Sequence, residues 1–207
     1  MKYIFAAGAP GSKWSSVIKN IYYSASIDCS DSNNLRQYYH GATGLSTPMH
    51  LGAYWDPGME FDIPELCSTM SREQAEEIFD RPFSGTGIRI IKSHVFCLKE
   101  NIEWLRDTWP DAPVVLVYRN SDSCLGWWYR CGGWDIDYPN YRPYYRDTPN
   151  MAHQIDRQNS GVNWAINKYF RRTPANNHEL AEILGIDLPG TEWQHHYAEH
   201  DIQVEVI

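Results

Sequence analysis

Apolar residues fall along this chain in two alternating rhythms. Lys2–Ala7, Ile88–Ile91 and Pro113–Tyr118 are short, nearly continuous apolar runs, the signature of strands buried on both faces of a parallel sheet. Between and after them the apolar positions recur at helical spacing. Trp14, Val17, Ile18, Ile21 and Tyr22 predict a helix beginning near Ser12. Ser71-Arg72-Glu73-Gln74 is a capping box ahead of Ala75, Ile78 and Phe79. Leu98, Ile102, Leu105 and Trp109 space out a third helix, which Pro110 stops. Leu125, Trp127 and Trp128 mark a fourth, with Ser121 or Asp122 as its cap. Val162, Ala165, Ile166, Tyr169 and Phe170 mark a fifth, and a sixth runs from Asn177 to Leu184 with Gly185 as its carboxyl cap.

Strands separated by helices predict an α/β domain with a mainly parallel sheet. At 207 residues the chain fits one domain, 1–207. Two aperiodic stretches read as insertions: the one near 25–65 walls a substrate cleft or merely covers the surface, and the one near 132–150 forms a lid or cleft wall or, equally, packs its aromatics over the sheet edge. The first holds His50 to Gly58, rich in aromatics; the second holds Trp134, Tyr138, Tyr141, Tyr144 and Tyr145.

Composition narrows the function classes. A net charge of −8 argues against a nucleic-acid coat or a binder of anionic membranes, while leaving a small anionic ligand possible. Nine Trp and 14 Tyr are too many polar-tipped aromatics for one core, so some are expected in a cleft. No apolar run has membrane-spanning length, and the sequence does not open on a signal-peptide pattern. The five Cys are scattered, odd in number and free of a CxxC pair, which predicts a reduced, cytoplasmic protein.

In parallel sheets ligands gather beyond the carboxyl ends of the strands. Here those ends deliver Gly8-Ala9-Pro10-Gly11-Ser12-Lys13, then Lys92-Ser93-His94, then Arg119. The first is a strand, a Gly-containing loop and a helix amino terminus, which together form an anion site to which Lys13 adds a charge. The bland alternative is a βα turn whose glycines only shape the backbone. The loop is not a Walker loop: Gly8 and Gly11 are too close, Ser12 separates Gly11 from Lys13, and Trp14 stands where the magnesium-binding hydroxyl belongs.

The three strand ends resemble those of the sulfotransferases that use 3′-phosphoadenosine 5′-phosphosulfate. Gly11-Ser12-Lys13-Trp14 is similar to the family's 5′-phosphosulfate loop, Lys-Ser-Gly-Thr-Thr-Trp; Ile91-Lys92-Ser93-His94 to its Lys-Thr-His segment; and Val117-Tyr118-Arg119-Asn120 to its 3′-phosphate strand end. The resemblance covers roughly the first two-thirds of the chain. It implies a three-layer P-loop-like fold and 3′-phosphoadenosine 5′-phosphosulfate as cofactor, with no metal. Gly8, Gly11, Ser12, Lys13, Trp14 and Ser15 would hold the 5′ end, Trp14 by stacking on the adenine. Arg119 and Ser123 would hold the 3′-phosphate. His94 would be the base, with Lys92 and Lys13 stabilising charge on the transferred group. The acceptor would be a hydroxyl or amine of a small molecule, aromatic or carbohydrate.

The chain also departs from the family pattern. Ala9 stands at the loop lysine, Trp127 at the spacing of a phosphate-binding serine, and nothing matches the carboxyl-terminal Arg-Lys-Gly segment. A P-loop nucleotide or nucleoside kinase is the runner-up, and a non-catalytic nucleotide-binding module is a third reading. His195, His196 and His200 lack a third ligand at metal-site spacing.

Overall fold

The computed structural model describes residues 1–37, 52–187 and 196–207. His50, Leu51 and His195 lie outside those residues. Among them, four strands form one mixed sheet in the order β2-β1-β3-β4. These are β1 (Tyr3–Gly8), β2 (Arg89–Lys92), β3 (Val114–Tyr118) and β4 (Gln203–Val206). β1 pairs in parallel with β2 (Tyr3 opposite Arg89) and with β3 (Phe5 opposite Val114). β4 was not expected from the sequence, and it departs from a parallel sheet by running antiparallel to β3, Tyr118 opposite Gln203.

Seven α-helices are described: α1 (Trp14–Tyr22), α2 (Arg72–Asp80), α3 (Lys99–Thr108), α4 (Ser121–Arg130), α5 (Arg142–Tyr145), α6 (Thr148–Lys168) and α7 (Asn177–Leu184). They cover both faces of the sheet. Ile4 and Ala6 of β1 pack with α1 and α7, while Tyr3, Phe5 and Ala7 pack with α2, α3 and the second half of α6. This is why β1 reads as an unbroken apolar run: both its faces are interior. The connections from β1 to β2 and from β2 to β3 run in opposite directions across the sheet. Crossovers of one hand then put α1 and α3 on opposite faces, so the strand order reverses at the carboxyl end of β1, where sheets of this kind hold ligands.

The caps follow side-chain chemistry. Ser71 and Gln74 form the expected capping box, and Gly185 closes α7 at φ 65°. α4 is capped not by Ser121 or Asp122 but by Asn120, whose side chain accepts from the Asp122 and Ser123 N–H groups. α6 begins at Thr148, well before the expected apolar stripe, because its first turns bury polar Gln154, Gln158 and Asn159 beside Met151 and Ile155. It ends at Lys168, so Phe170 lies beyond it and is 91% exposed.

Candidate functional site

β1 delivers Gly8 to the carboxyl end of the sheet, and the chain turns with the Ser12 N–H donating to the Ala9 carbonyl at 3.0 Å. Lys13 takes a left-handed conformation (φ 63°) immediately before α1, which has no side-chain cap and no acidic residue in its first turn. The first N–H groups of a helix lack intrahelical partners, so this end is electropositive. The Ser12 hydroxyl beside it is buried with no hydrogen-bond partner. Such an orphan is costly unless something polar meets it. An uncapped helix end and an unsatisfied hydroxyl together fit a phosphate. The two glycines do different work. A Cβ on Gly8 would stand 2.7 Å from the Ser12 oxygen, inside the loop. A Cβ on Gly11 (φ 79°) would overlap the Cys124 carbonyl oxygen, so its bare face admits α4 and not a ligand.

His94 follows β2 and is fully buried. Its Nδ1 lies 2.5 Å from the Gly8 carbonyl, which can only accept, so Nδ1 carries the proton and donates. Nε2 is then the basic nitrogen, and the Tyr141 hydroxyl faces it over a long 3.4 Å. The rings of Trp14, Tyr54, Tyr141 and Tyr145 surround the imidazole at 4.8, 5.2, 5.8 and 6.2 Å. Burial lowers its pKa from 6.5 to about 3, the Gly8 carbonyl opposing. The turn that carries His94 is held from below by Asp56, also fully buried. Its carboxylate accepts from the Ser93 hydroxyl (2.9 Å), the His94 N–H (3.2 Å) and the Val95 N–H (3.1 Å). Burial raises the Asp56 pKa to about 7 even against those donors.

β3 delivers Arg119. Its Nη1 donates to the carbonyls of Gly11 (3.2 Å) and Ser123 (3.1 Å), tying the β1 loop to the start of α4. Its Nε is buried without a hydrogen-bond partner. Asn159 of α6 fixes the strand end by donating to the Arg119 carbonyl at 2.8 Å. Around the Trp127 indole, the Lys13 ammonium lies 4.7 Å from the ring centroid and the Arg119 and Arg130 guanidiniums 5.8 and 5.9 Å. Burial first, and then the nearby Arg119, lower the Lys13 pKa. Trp127 thus gathers three cations.

The structure therefore joins Gly8, Trp14 and His94 in one cluster and Gly11, Lys13, Arg119 and Ser123 in another, with Ser12 in the loop between. Lys92 stands elsewhere. It is buried with its ammonium 6.0 Å from the Tyr22 ring, in the last turn of α1, whereas Lys13 precedes the first. A helix of nine residues spans roughly 12 Å, so the two lysines occupy different neighbourhoods. Burial lowers the Lys92 pKa to about 8, the Asp31 carboxylate opposing. Trp14 is 3% exposed and edge-on to Tyr54, so the ring assigned to an adenine is already covered. Ser15 lies one step inside α1, half-buried.

Sequence reasoning passed over Asp56, Arg130, Asn159 and Asp201. Only the last left a usable signal: Ile202, Val204 and Val206 alternate with Gln203 and Glu205, which marks a strand beside which Asp201 must sit. Compared with protein-family models, curated proteins and solved structures, the chain matches none. Among the described residues no helix is long and apolar enough to cross a membrane, and no group of His, Cys, Asp and Glu could hold a metal ion.

Proposed function

We propose that the protein is a P-loop-like sulfotransferase that takes 3′-phosphoadenosine 5′-phosphosulfate and transfers its sulfuryl group to a small hydroxyl or amine acceptor. The observation that carries this reading is the tying of three strand ends at one end of the sheet: His94 bonded to Gly8, and Arg119 bonded to Gly11. The bound cofactor supplies the sulfuryl group and a phosphate leaving group. The α1 amino terminus, the Ser12 hydroxyl and Ser15 hold the 5′-phosphate, and Lys13 lies beside them. Arg119, through its unbonded Nε, and Ser123 hold the 3′-phosphate.

His94 is in the protonation state a base requires, with Nε2 unprotonated. A pKa near 3 makes it a weak one while enclosed. Negative charge brought alongside raises the pKa of an imidazole, so cofactor binding strengthens the base. Tyr141 must give way for an acceptor to reach Nε2. Tyr138, Trp134 and Tyr144 flank that entrance in sequence and suit an aromatic or sugar ring. Lys92 is too enclosed to be assigned a contact, and its charge acts at a distance. A cytoplasmic setting is part of the same proposal.

The enclosure of His94 and Trp14 favours a second reading: a nucleotide-binding module that has lost turnover. Titration with 3′-phosphoadenosine 5′-phosphate without magnesium tests both. Wild type is expected to bind, and Arg119→Ala to bind about 10- to 150-fold more weakly, the worth of a hydrogen bond to a charged group. Binding without transfer to any acceptor supports the module, and no binding by wild type removes both.

A further inference from the structure

The basic cluster around Trp127 is met in this structure by the chain itself. β4 runs antiparallel to β3, so the residues just before β4 lie beside those just after β3. The Asp201 carboxylate thereby stands 3.7 Å from the Arg119 Nε and accepts from the Ser123 hydroxyl at 3.3 Å. The neighbouring His200 carbonyl accepts from the Lys13 ammonium at 3.1 Å. A carboxylate and a carbonyl therefore face the three groups that would receive a phosphate. Resting on the sulfotransferase reading, we infer that the Tyr197–Asp201 turn is a built-in occupant of the Lys13–Arg119–Ser123 anion site, and that a phosphate-bearing ligand binds by displacing it.

The geometry suits an occupant that yields. The Arg119–Asp201 separation is an ion pair without a hydrogen bond, and Arg119 Nε stays unsatisfied. Asp201 is 71% exposed, and ion pairs so open to water contribute little. A phosphate presents several acceptor oxygens and more charge than a carboxylate, so it can serve Nε and the Lys13 ammonium together. Asp201 also holds a left-handed conformation (φ 57°), which Asp and Asn tolerate better than other side chains. Tyr197 anchors the start of the turn, buried and donating its hydroxyl to Asn177 Oδ1 at 2.7 Å, so the part that yields is the tip, His200 and Asp201. While Asp201 remains, its negative charge opposes any incoming anion, which selects for ligands with enough charge to overcome it.

Asp201→Asn keeps the size and backbone tolerance of the residue and removes only its charge. Wild type and Asp201→Asn would be titrated at fixed ionic strength with 3′-phosphoadenosine 5′-phosphate and, separately, with inorganic pyrophosphate, which carries phosphates without a nucleoside. The variant is expected to bind at least about fivefold more tightly than wild type, in the range of ordinary site coupling. In wild type, ligand should speed hydrogen exchange across Tyr197–Ile202. Tighter pyrophosphate binding by the variant, with no nucleotide binding by either protein, would uphold the occupant and reject the cofactor. Equal or weaker binding of both probes by a folded Asp201→Asn would overturn the proposal.

Discussion

At His94 a ring whose ordinary pKa is 6.5 sits where burial lowers it to about 3. Its unfolded form takes up a proton near pH 6.5 and its folded form does not until about pH 3. Stability from this group is complete above pH 6.5 and is lost as pH falls toward 3. Asp56 acts in the opposite sense. Its folded pKa, raised to about 7 from 3.8, makes its contribution full at low pH and lost as pH rises through 7. The two slopes oppose each other over most of the acid range, so neither is visible in wild type alone. The difference in unfolding free energy between wild type and His94→Gln isolates the first. It is expected to grow with pH from about 3 to 6.5 by up to about 1.4 kcal/mol per unit and then level off. A difference independent of pH would mean that His94 is protonated or exposed in the folded protein. Lys13 and Arg119 belong to this scale as well: the strand ends place them together, but their shared approach to one indole, Trp127, was not legible from spacing.

At the scale of elements, the turn Ser93–Val95 shows how one distant loop positions a side chain. Asp56 accepts from three donors there. Asp56→Ala leaves all three buried without that carboxylate, and a loss of about 3 kcal/mol or more is expected in urea unfolding with an unchanged slope. A loss under about 1 kcal/mol would mean that water reaches the turn. β1, β2 and β3 were legible as continuous apolar runs, α1 from its apolar period alone, and α2, α3 and α7 because an apolar period meets a chemical start or stop: the Ser71 box, Pro110 and Gly185. The amino-terminal half of α6 was not legible, since the residues it buries, Gln154, Gln158 and Asn159, are polar and are retained for hydrogen bonds to Tyr144, Tyr145 and Arg119. β4 was legible in principle, since Ile202, Val204 and Val206 alternate with Gln203 and Glu205, but the alternation does not show that the strand runs antiparallel beside β3, far back in the chain. Tyr54 and Trp55 are core, neither cleft wall nor surface cover, and Tyr145 is packed into the same interior; only the sheet's arrangement places Tyr54 and Tyr145 around His94.

Across the whole molecule a net charge of −8 coexists with a local gathering of Lys13, Arg119 and Arg130. Burial and proximity, not net charge, decide what such a site attracts. The mixed sheet makes that gathering possible, because parallel β1 and β3 end together while antiparallel β4 brings Asp201 to the same end. Which residues stand at each strand end was legible in sequence; that the loop packs on α4 and that Lys92 points toward Tyr22 depended on three-dimensional packing. On the proposed function, this end of the sheet recognises two phosphates at once, one at α1 and one at Arg119. Calorimetric titration of wild type with 3′-phosphoadenosine 5′-phosphate and with adenosine 5′-phosphate tests it most directly, since the ligands differ only in the 3′-phosphate. The bisphosphate is predicted to bind at least about tenfold more tightly, equivalent to one charged hydrogen bond. Equal affinities, or tighter binding of the monophosphate, would contradict the account.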